Sequence, residues 1–205
     1  MEKVICIFGA STTSGFWDLE KGGWVNRLRL YFDSKVNDDF YVTVYNLGID
    51  GNNSGNLLKR FQGECEAREP DIIIISIGSN DSFINSKGKS NSSLKDFEEN
   101  IFQIIKLAKK FTKKIIFLGL YDFDESKTKP VSWDANVNYI NSIMKKYDLA
   151  LKEIIEKADI SYIDMNGLLE NKDFEDGVHP NSRGHEKIFQ KVKDFLIKKK
   201  LITNE

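Results

Sequence analysis

The chain holds 2 histidines among 205 residues, and one of them stands in a turn whose residue types suit proton transfer. In Glu175-Asp176-Gly177-Val178-His179-Pro180-Asn181 the imidazole follows an aspartate by three positions across a glycine, with a proline stiffening the exit. Such a turn can bring the Asp176 carboxylate to imidazole Nδ1, fixing the tautomer so that Nε2 faces outward as a base. A base of this kind needs a hydroxyl to act on. The string Gly9-Ala10-Ser11-Thr12-Thr13-Ser14-Gly15 supplies hydroxyls, and it reads equally as a polar turn capping a helix. It lacks both GxGxxG and the Gly-Lys-Ser/Thr ending of a phosphate loop, and it is not a GxSxG elbow. Two further strings offer neutral donors. The Asn80 carboxamide in Ile77-Gly78-Ser79-Asn80-Asp81 can stabilise a developing oxyanion without titrating. Gly51, in Asn46-Leu47-Gly48-Ile49-Asp50-Gly51-Asn52, permits positive φ and leaves its amide uncovered. Both strings also read as ordinary turns. His185, at the start of the last predicted helix, reads as a packing or capping residue. Two histidines with no nearby cysteine are too few ligands for a usual zinc site.

The elements that must position these residues are short β-branched and aliphatic runs alternating with longer segments at helical spacing. Strands are predicted at Lys3–Phe8, Tyr41–Leu47, Asp71–Ile77, Lys114–Tyr121 and Ile160–Met165. Most are continuous apolar runs, as in a parallel sheet covered on both faces, while Tyr41–Tyr45 alternates like an edge strand. Helices are predicted at Trp24–Lys35, Gly55–Ala67, Leu94–Phe111, Ala135–Lys157 and Gly184–Lys199. Five strands joined by crossover-length helices imply right-handed connections and a doubly wound, three-layer α/β/α fold with a five-stranded parallel sheet in the flavodoxin-like order 2-1-3-4-5. No repeat, Pro-rich linker or composition break divides the chain, so residues 1–205 read as a single domain. Each chemical string lies just past the C-terminal end of a predicted strand, so the strings meet in one crevice. The polar stretches Ser82–Ser93 and Asp122–Ser132 follow strands at that same edge and read either as pocket walls or as mobile loops.

Composition removes several classes. A chain of 23.5 kDa can bury about 70% of its unfolded surface, so no disulfide or metal staple is required. With 40% hydrophobic residues, 30% charged and 3 prolines it is neither collagen-like, a disulfide scaffold nor strongly disordered. The 30 Lys and Arg against 31 Asp and Glu give a formal net charge of -1, which gives no support to a nucleic-acid partner or an attraction to membrane surfaces. The longest apolar runs, from Ile72 to Ile77 and from Ile115 to Tyr121, fall far short of the roughly 20 residues of a membrane helix. Val4 to Phe8 is too short an apolar stretch for a signal peptide and reads as a buried first strand. Cys6 and Cys65 carry no CxxC spacing and read as buried thiols in a reducing compartment, the cytoplasm. The lysine-rich segments Lys106–Lys114 and Lys191–Lys200 read as solvated faces.

Together Gly9-Ala10-Ser11, Gly51, Gly78-Ser79-Asn80-Asp81 and Asp176-Gly177-Val178-His179-Pro180 resemble the four blocks of the SGNH (GDSL-type) hydrolases. The likeness runs from Phe8 to His185. Gly22-Gly23-Trp24-Val25-Asn26-Arg27-Leu28 is similar to the lysophospholipase-like branch, and an amphipathic first helix explains it equally well. The resemblance implies a flavodoxin-like fold and hydrolysis of esters, with lysophospholipids, thioesters and acetylated carbohydrates among the substrate classes to consider. It assigns Ser11 as nucleophile, His179 as base and Asp176 as its orienting partner, with the Ser11 amide, the Gly51 amide and the Asn80 side chain as the oxyanion hole. It also implies an acyl-enzyme on Ser11 released by water activated at His179, with no metal or organic cofactor. One departure stands out: the family's Gly-Asp-Ser is here Gly-Ala-Ser, with Ala10 in place of the aspartate.

Asp81 reads as structural, because a carboxylate aimed at an oxyanion would oppose catalysis. Phe16, Trp17, Phe83, Tyr121 and Phe123 fall in or beside the pocket loops, to shape an acyl site or to pack the core. Small, short-chain esters are the expected small-molecule substrates. Two other readings are a non-catalytic flavodoxin-like module for phosphate or flavin, which leaves Asp176, His179 and Asn80 without a role, and a degenerate hydrolase that binds carbohydrate.

Overall fold

Ile5, Cys6, Ile7 and Phe8 have no accessible surface in the computed structural model, which describes residues 2–202, and neither do Ile72, Ile73, Ile74 and Ile75. An unbroken apolar run is hidden in this way only when both faces of the sheet are covered. These runs lie in β1 (Glu2–Gly9) and β3 (Ile72–Ser76), which pair in parallel. β2 (Tyr41–Gly48) flanks β1, while β5 (Ile115–Leu118) and β7 (Ser161–Ile163) continue the sheet beyond β3. The order β2-β1-β3-β5-β7 is the expected 2-1-3-4-5 for the five main strands. β2 is the edge, burying Val42 and Val44 while Tyr41 and Tyr45 face solvent.

Right-handed crossovers then set the layers. The step from β1 to β2 runs one way along the sheet and carries α2 (Trp24–Asp33) on one face. The steps to β3, β5 and β7 run the other way and carry α3 (Ser54–Glu66), α5 (Leu94–Ala108) and α6 (Asn141–Lys157) on the opposite face. The packing agrees: α3 lies against α5, α5 against α6, and α7 (Ser182–Lys198) against α2. Asn53, Ser93 and Asn181 cap α3, α5 and α7 through their side chains. Cys6 and Cys65 are free and buried, and burial pushes both thiols up to about 12, which makes them inert.

Gly9 is level with Gly48 on one side and Ser76 on the other, so three strands end together. Above that edge the chain turns into α1 (Ser11–Ser14) after β1 and α4 (Ser79–Ser82) after β3. α1 folds back so closely that a Cβ on Gly9 would lie 2.0 Å from Thr13 Oγ1 and 2.6 Å from Ser76 O. Only glycine fits there.

Three predicted boundaries need correction. The predicted helix Ala135–Lys157 begins at Asn141, because Val137–Asn138 forms β6, antiparallel to β4 (Ile84–Asn85). The backbone there finds its partners in an earlier loop: Tyr139 N donates to Thr128 O at 3.1 Å, and Thr128 Oγ1 donates to Tyr139 O at 2.8 Å. The stretch Ser82–Ser93, predicted to hold no element, therefore contributes β4. The strand predicted at Lys114–Tyr121 stops at Leu118, since Gly119 makes room for Tyr162 and the Leu120 N–H turns to Asp148 Oδ1 at 2.7 Å. The strand predicted at Ile160–Met165 is paired only over Ser161–Ile163.

Candidate active site

Ser11 opens α1, and its Oγ lies 2.9 Å from His179 Nε2 across 168 residues of sequence. His179 Nδ1 is 2.7 Å from Asp176 Oδ2. The turn closes because Gly177 takes φ 94°, and a Cβ there would come within 2.8 Å of Lys127 Cβ. Asp176 Oδ1 accepts the Val178 and His179 N–H groups at 3.0 and 2.8 Å, and Trp17 Nε1–H donates to Oδ2 at 2.9 Å. Burial pushes the Asp176 carboxyl up, but the bonds from His179 and the turn backbone outweigh it and leave the group below its usual range. An ionised carboxylate at Nδ1 selects the tautomer that leaves Nε2 as an acceptor. An imidazole held in this way can take a proton from the Ser11 hydroxyl.

Neutral donors line the same cleft. Asn80 Oδ1 accepts the Tyr139 hydroxyl at 2.6 Å, and Asn80 Nδ2 donates to Asn52 O at 2.9 Å, which leaves one amide proton uncommitted. Gly51 sits at φ 74° with open space where a Cβ would stand. The Ser11 N–H lies in the first turn of α1, where no intrahelical acceptor exists. Asp81 points elsewhere: it accepts Ser54 N at 2.9 Å and Ser54 Oγ at 2.5 Å, tying α4 to the start of α3. Burial raises its carboxyl in spite of those bonds.

The cleft measures about 360 Å3, and its walls include Phe16, Trp17, Gly51, Trp133 and Tyr139. Phe16 meets the His179 ring edge-on at 4.9 Å, and Trp133 lies over it at 5.4 Å. A smaller cavity of about 30 Å3 lies behind Ser11 and Asn80, bordered by Gly78, Leu120 and Tyr121. Of the aromatic residues singled out in the sequence, Phe16 and Trp17 form walls and Tyr121 borders the small cavity. Phe83 and Phe123 instead pack on the Tyr139 ring at 5.7 and 4.9 Å. The stretch Asp122–Ser132 reaches the cleft through Ser132. Ser82–Ser93 is no wall but a buttress, with Asn91 Nδ2 donating to Asn80 O at 2.8 Å. The sequence singles out neither Trp133 nor Tyr139: one adjoins the polar stretch 122–132, and the other falls inside the predicted helix Ala135–Lys157.

His185 is fully buried and packs, as its position suggests. Its Nδ1 accepts the Trp24 N–H at 3.2 Å, so Nε2 carries the proton that goes to Phe16 O at 3.0 Å. Burial holds this imidazole below its ordinary range. Among the described residues no group of three or more His, Cys, Asp or Glu side chains is placed to hold a metal ion.

The model of the GDSL-like lipase/acylhydrolase family matches residues 7–187. The chain belongs to that family. Over 130 residues it is 29% identical to the uncharacterized lipoprotein YqeF of Bacillus subtilis (strain 168), spanning 61% of this chain and 51% of that protein. Over 126 residues it is 28% identical to a multidomain esterase of Ruminococcus flavefaciens, spanning 58% of this chain and 14% of that one. An acetylxylan esterase from Geobacillus stearothermophilus shares the fold, with a TM-score of 0.73 over 95% of this chain and 93% of that chain at 20% identity. No helix among the described residues is long and apolar enough to cross a membrane.

In this GDSL-like chain Ala10 leaves α1 without a side-chain cap. The short helix is held from other directions. Thr12 Oγ1 and Tyr121 OH are 2.9 Å apart, Ser14 Oγ donates to Asp50 Oδ1 at 2.5 Å, and Asn46 Nδ2 donates to Ser14 O at 3.3 Å. The Gly22-Gly23-Trp24 stretch starts α2, whose Trp24, Val25 and Leu28 are buried, so packing accounts for it.

Proposed function

We propose that the chain is a serine-dependent carboxylic ester hydrolase, a reading carried by the continuous line Ser11 Oγ, His179 Nε2, His179 Nδ1, Asp176 Oδ2 with contacts of 2.9 and 2.7 Å. Ser11 Oγ attacks the ester carbonyl while its proton passes to His179 Nε2. Charge gathers on the former carbonyl oxygen, where the Ser11 and Gly51 amides and the free Asn80 N–H receive it. Collapse breaks the C–O bond, and the proton leaves His179 for the departing alcohol. Water then repeats the sequence on the acyl-enzyme and frees the acid.

The spaces around Ser11 support small acyl groups. The cavity of about 30 Å3 behind it has room for a methyl group or a water or two, whereas the open cleft of about 360 Å3 suits a larger alcohol portion. Trp17 and Trp133 stand partly exposed beside His179, flat surfaces on which the apolar face of a sugar ring can rest. Acetylated carbohydrate is therefore the favoured alcohol class, in keeping with the acetylxylan esterase of like fold. The decisive experiment compares wild type and Ser11→Ala on p-nitrophenyl acetate and an acetylated sugar, beside fluorophosphonate labelling. Wild type should turn over both and take the label, and Ser11→Ala should do neither. Wild-type rates in Ser11→Ala would refute the nucleophile, and binding of acetyl-sugar without turnover by wild type would identify a degenerate hydrolase.

A further inference from the structure

Asn80 alone cannot aim its own amide. A terminal carboxamide turns about a broad two-fold torsion, so a donor that must meet a developing charge has to be fixed from outside. The Tyr139 hydroxyl is the group that does so. It donates to Asn80 Oδ1 at 2.6 Å, while Asn52 O takes one Nδ2 proton at 2.9 Å. The flipped carboxamide would set Oδ1 against the Asn52 carbonyl, a repulsive pairing, and would lose the phenol's donation to Oδ1. Burial pushes the Tyr139 phenol above its ordinary range, so it keeps the proton it donates. The ring is wedged between Phe83 and Phe123. Its backbone is clamped by Thr128 through both N–H and C=O. The absence of helix before Asn141, where β4 pairs with β6 instead, is thus what delivers Tyr139 to the cleft.

We propose that Tyr139 is a positioning residue for the hydrolysis, locking the Asn80 carboxamide so that its second Nδ2 proton faces the oxyanion, and polarising that N–H by drawing charge from Oδ1. The proposal rests on the ester-hydrolase reading above. Hydrogen bonds in series strengthen one another, so the loss should appear in the transition state more than in substrate binding.

The test is a double-mutant cycle of wild type, Tyr139→Phe, Asn80→Ala and the double variant, with kcat, KM and Tm measured for each on p-nitrophenyl acetate. Phenylalanine keeps the ring and removes only the hydroxyl. Removing an oxyanion donor costs about 100-fold or more in kcat, so Asn80→Ala should lose that much and Tyr139→Phe roughly 10-fold, with KM within about twofold. The double variant should be no slower than Asn80→Ala, because Tyr139 acts only through Asn80. Multiplying losses, or a raised KM with unchanged kcat in Tyr139→Phe, would overturn the proposal. Thr128→Val, which frees the Tyr139 carbonyl and leaves the phenol, is the second variant, and its kcat loss must also vanish in the Asn80→Ala background. Full activity in Asn80→Ala with none in Ser11→Ala sinks the positioning role alone. Full activity in Ser11→Ala sinks the hydrolase reading itself.

Discussion

Replacing Arg27 by methionine should strand a buried carboxylate and expose what anchors the Phe16–Asp18 segment beside the cleft. Arg27 and Asp18 side chains are 3% and 0% exposed, and the guanidinium grips both carboxylate oxygens, with Nε at 2.8 Å and Nη2 at 3.0 Å. Removing one partner of a buried ion pair costs about 3–5 kcal/mol. Asp18 keeps the N–H groups of Gly23, Glu20 and Lys21 at 2.9, 3.2 and 3.3 Å, which places the loss near the lower end. At about 3 kcal/mol, and roughly 2–4 °C per kcal/mol for a chain of this size, Tm should fall by about 6–12 °C. The pH dependence carries the sign. Burial pushes the Asp18 carboxyl up, yet Arg27 and the backbone donors bring it well below its ordinary 3.8. In wild type its stabilisation is therefore present above about pH 4 and is lost as pH falls toward the depressed folded value. The variant gains relief when Asp18 takes a proton, so the gap in Tm should narrow in acid. Calorimetry of both proteins at about pH 7 and about pH 3 measures it. A gap under about 2 °C at neutral pH, or one that widens in acid, would refute the reasoning.

Two smaller perturbations probe α1 and the Asp176 carboxylate. The Thr13 hydroxyl is buried and has no hydrogen-bond partner among the described residues, so Thr13→Val should raise stability by about 1 kcal/mol, read as roughly 2–4 °C in Tm, and a fall in Tm would show that the hydroxyl is bonded after all. Trp17→Phe removes one of the N–H donors to Asp176 at a partly exposed position where water can substitute, so kcat should fall only about 3- to 10-fold with KM little changed, and an unaltered kcat would show that the indole bond is incidental.

The sheet was legible because burial writes itself into β1 and β3 as unbroken apolar runs, and their strand order follows from handedness once the helices between them are recognised. α2 and α5 begin at Trp24 and Leu94, the predicted residues, because each has an apolar stripe long enough to show its period. α1 and α4 span four residues each and have no period to show. Residues 135–140 misled for a different reason. Helical spacing continues through them, but Thr128 and the Ile84–Asn85 strand take up the backbone groups a helix would have used, and partners so distant in sequence leave no local pattern.

The site divides along the same line. Asp176 and His179 are three residues apart, and a single glycine turn brings them together, so their chemistry is visible in a seven-residue string. Ser11 meets His179 only through the sheet topology, which the sequence permits one to reconstruct. Tyr139 meets Asn80 across 59 residues from a loop whose spacing reads as helix, and nothing in either string announces the pairing. The residues proposed to transfer protons thus sit in short turns at strand ends, while those proposed to enclose the cleft or to aim Asn80, Trp17, Trp133 and Tyr139, come from the irregular segments. Those segments can change in length and sequence without disturbing the sheet, so substrate preference is expected to vary with residues 16–17 and 132–136 while the proposed Ser11–His179–Asp176 line and the Tyr139–Asn80 pair stay fixed.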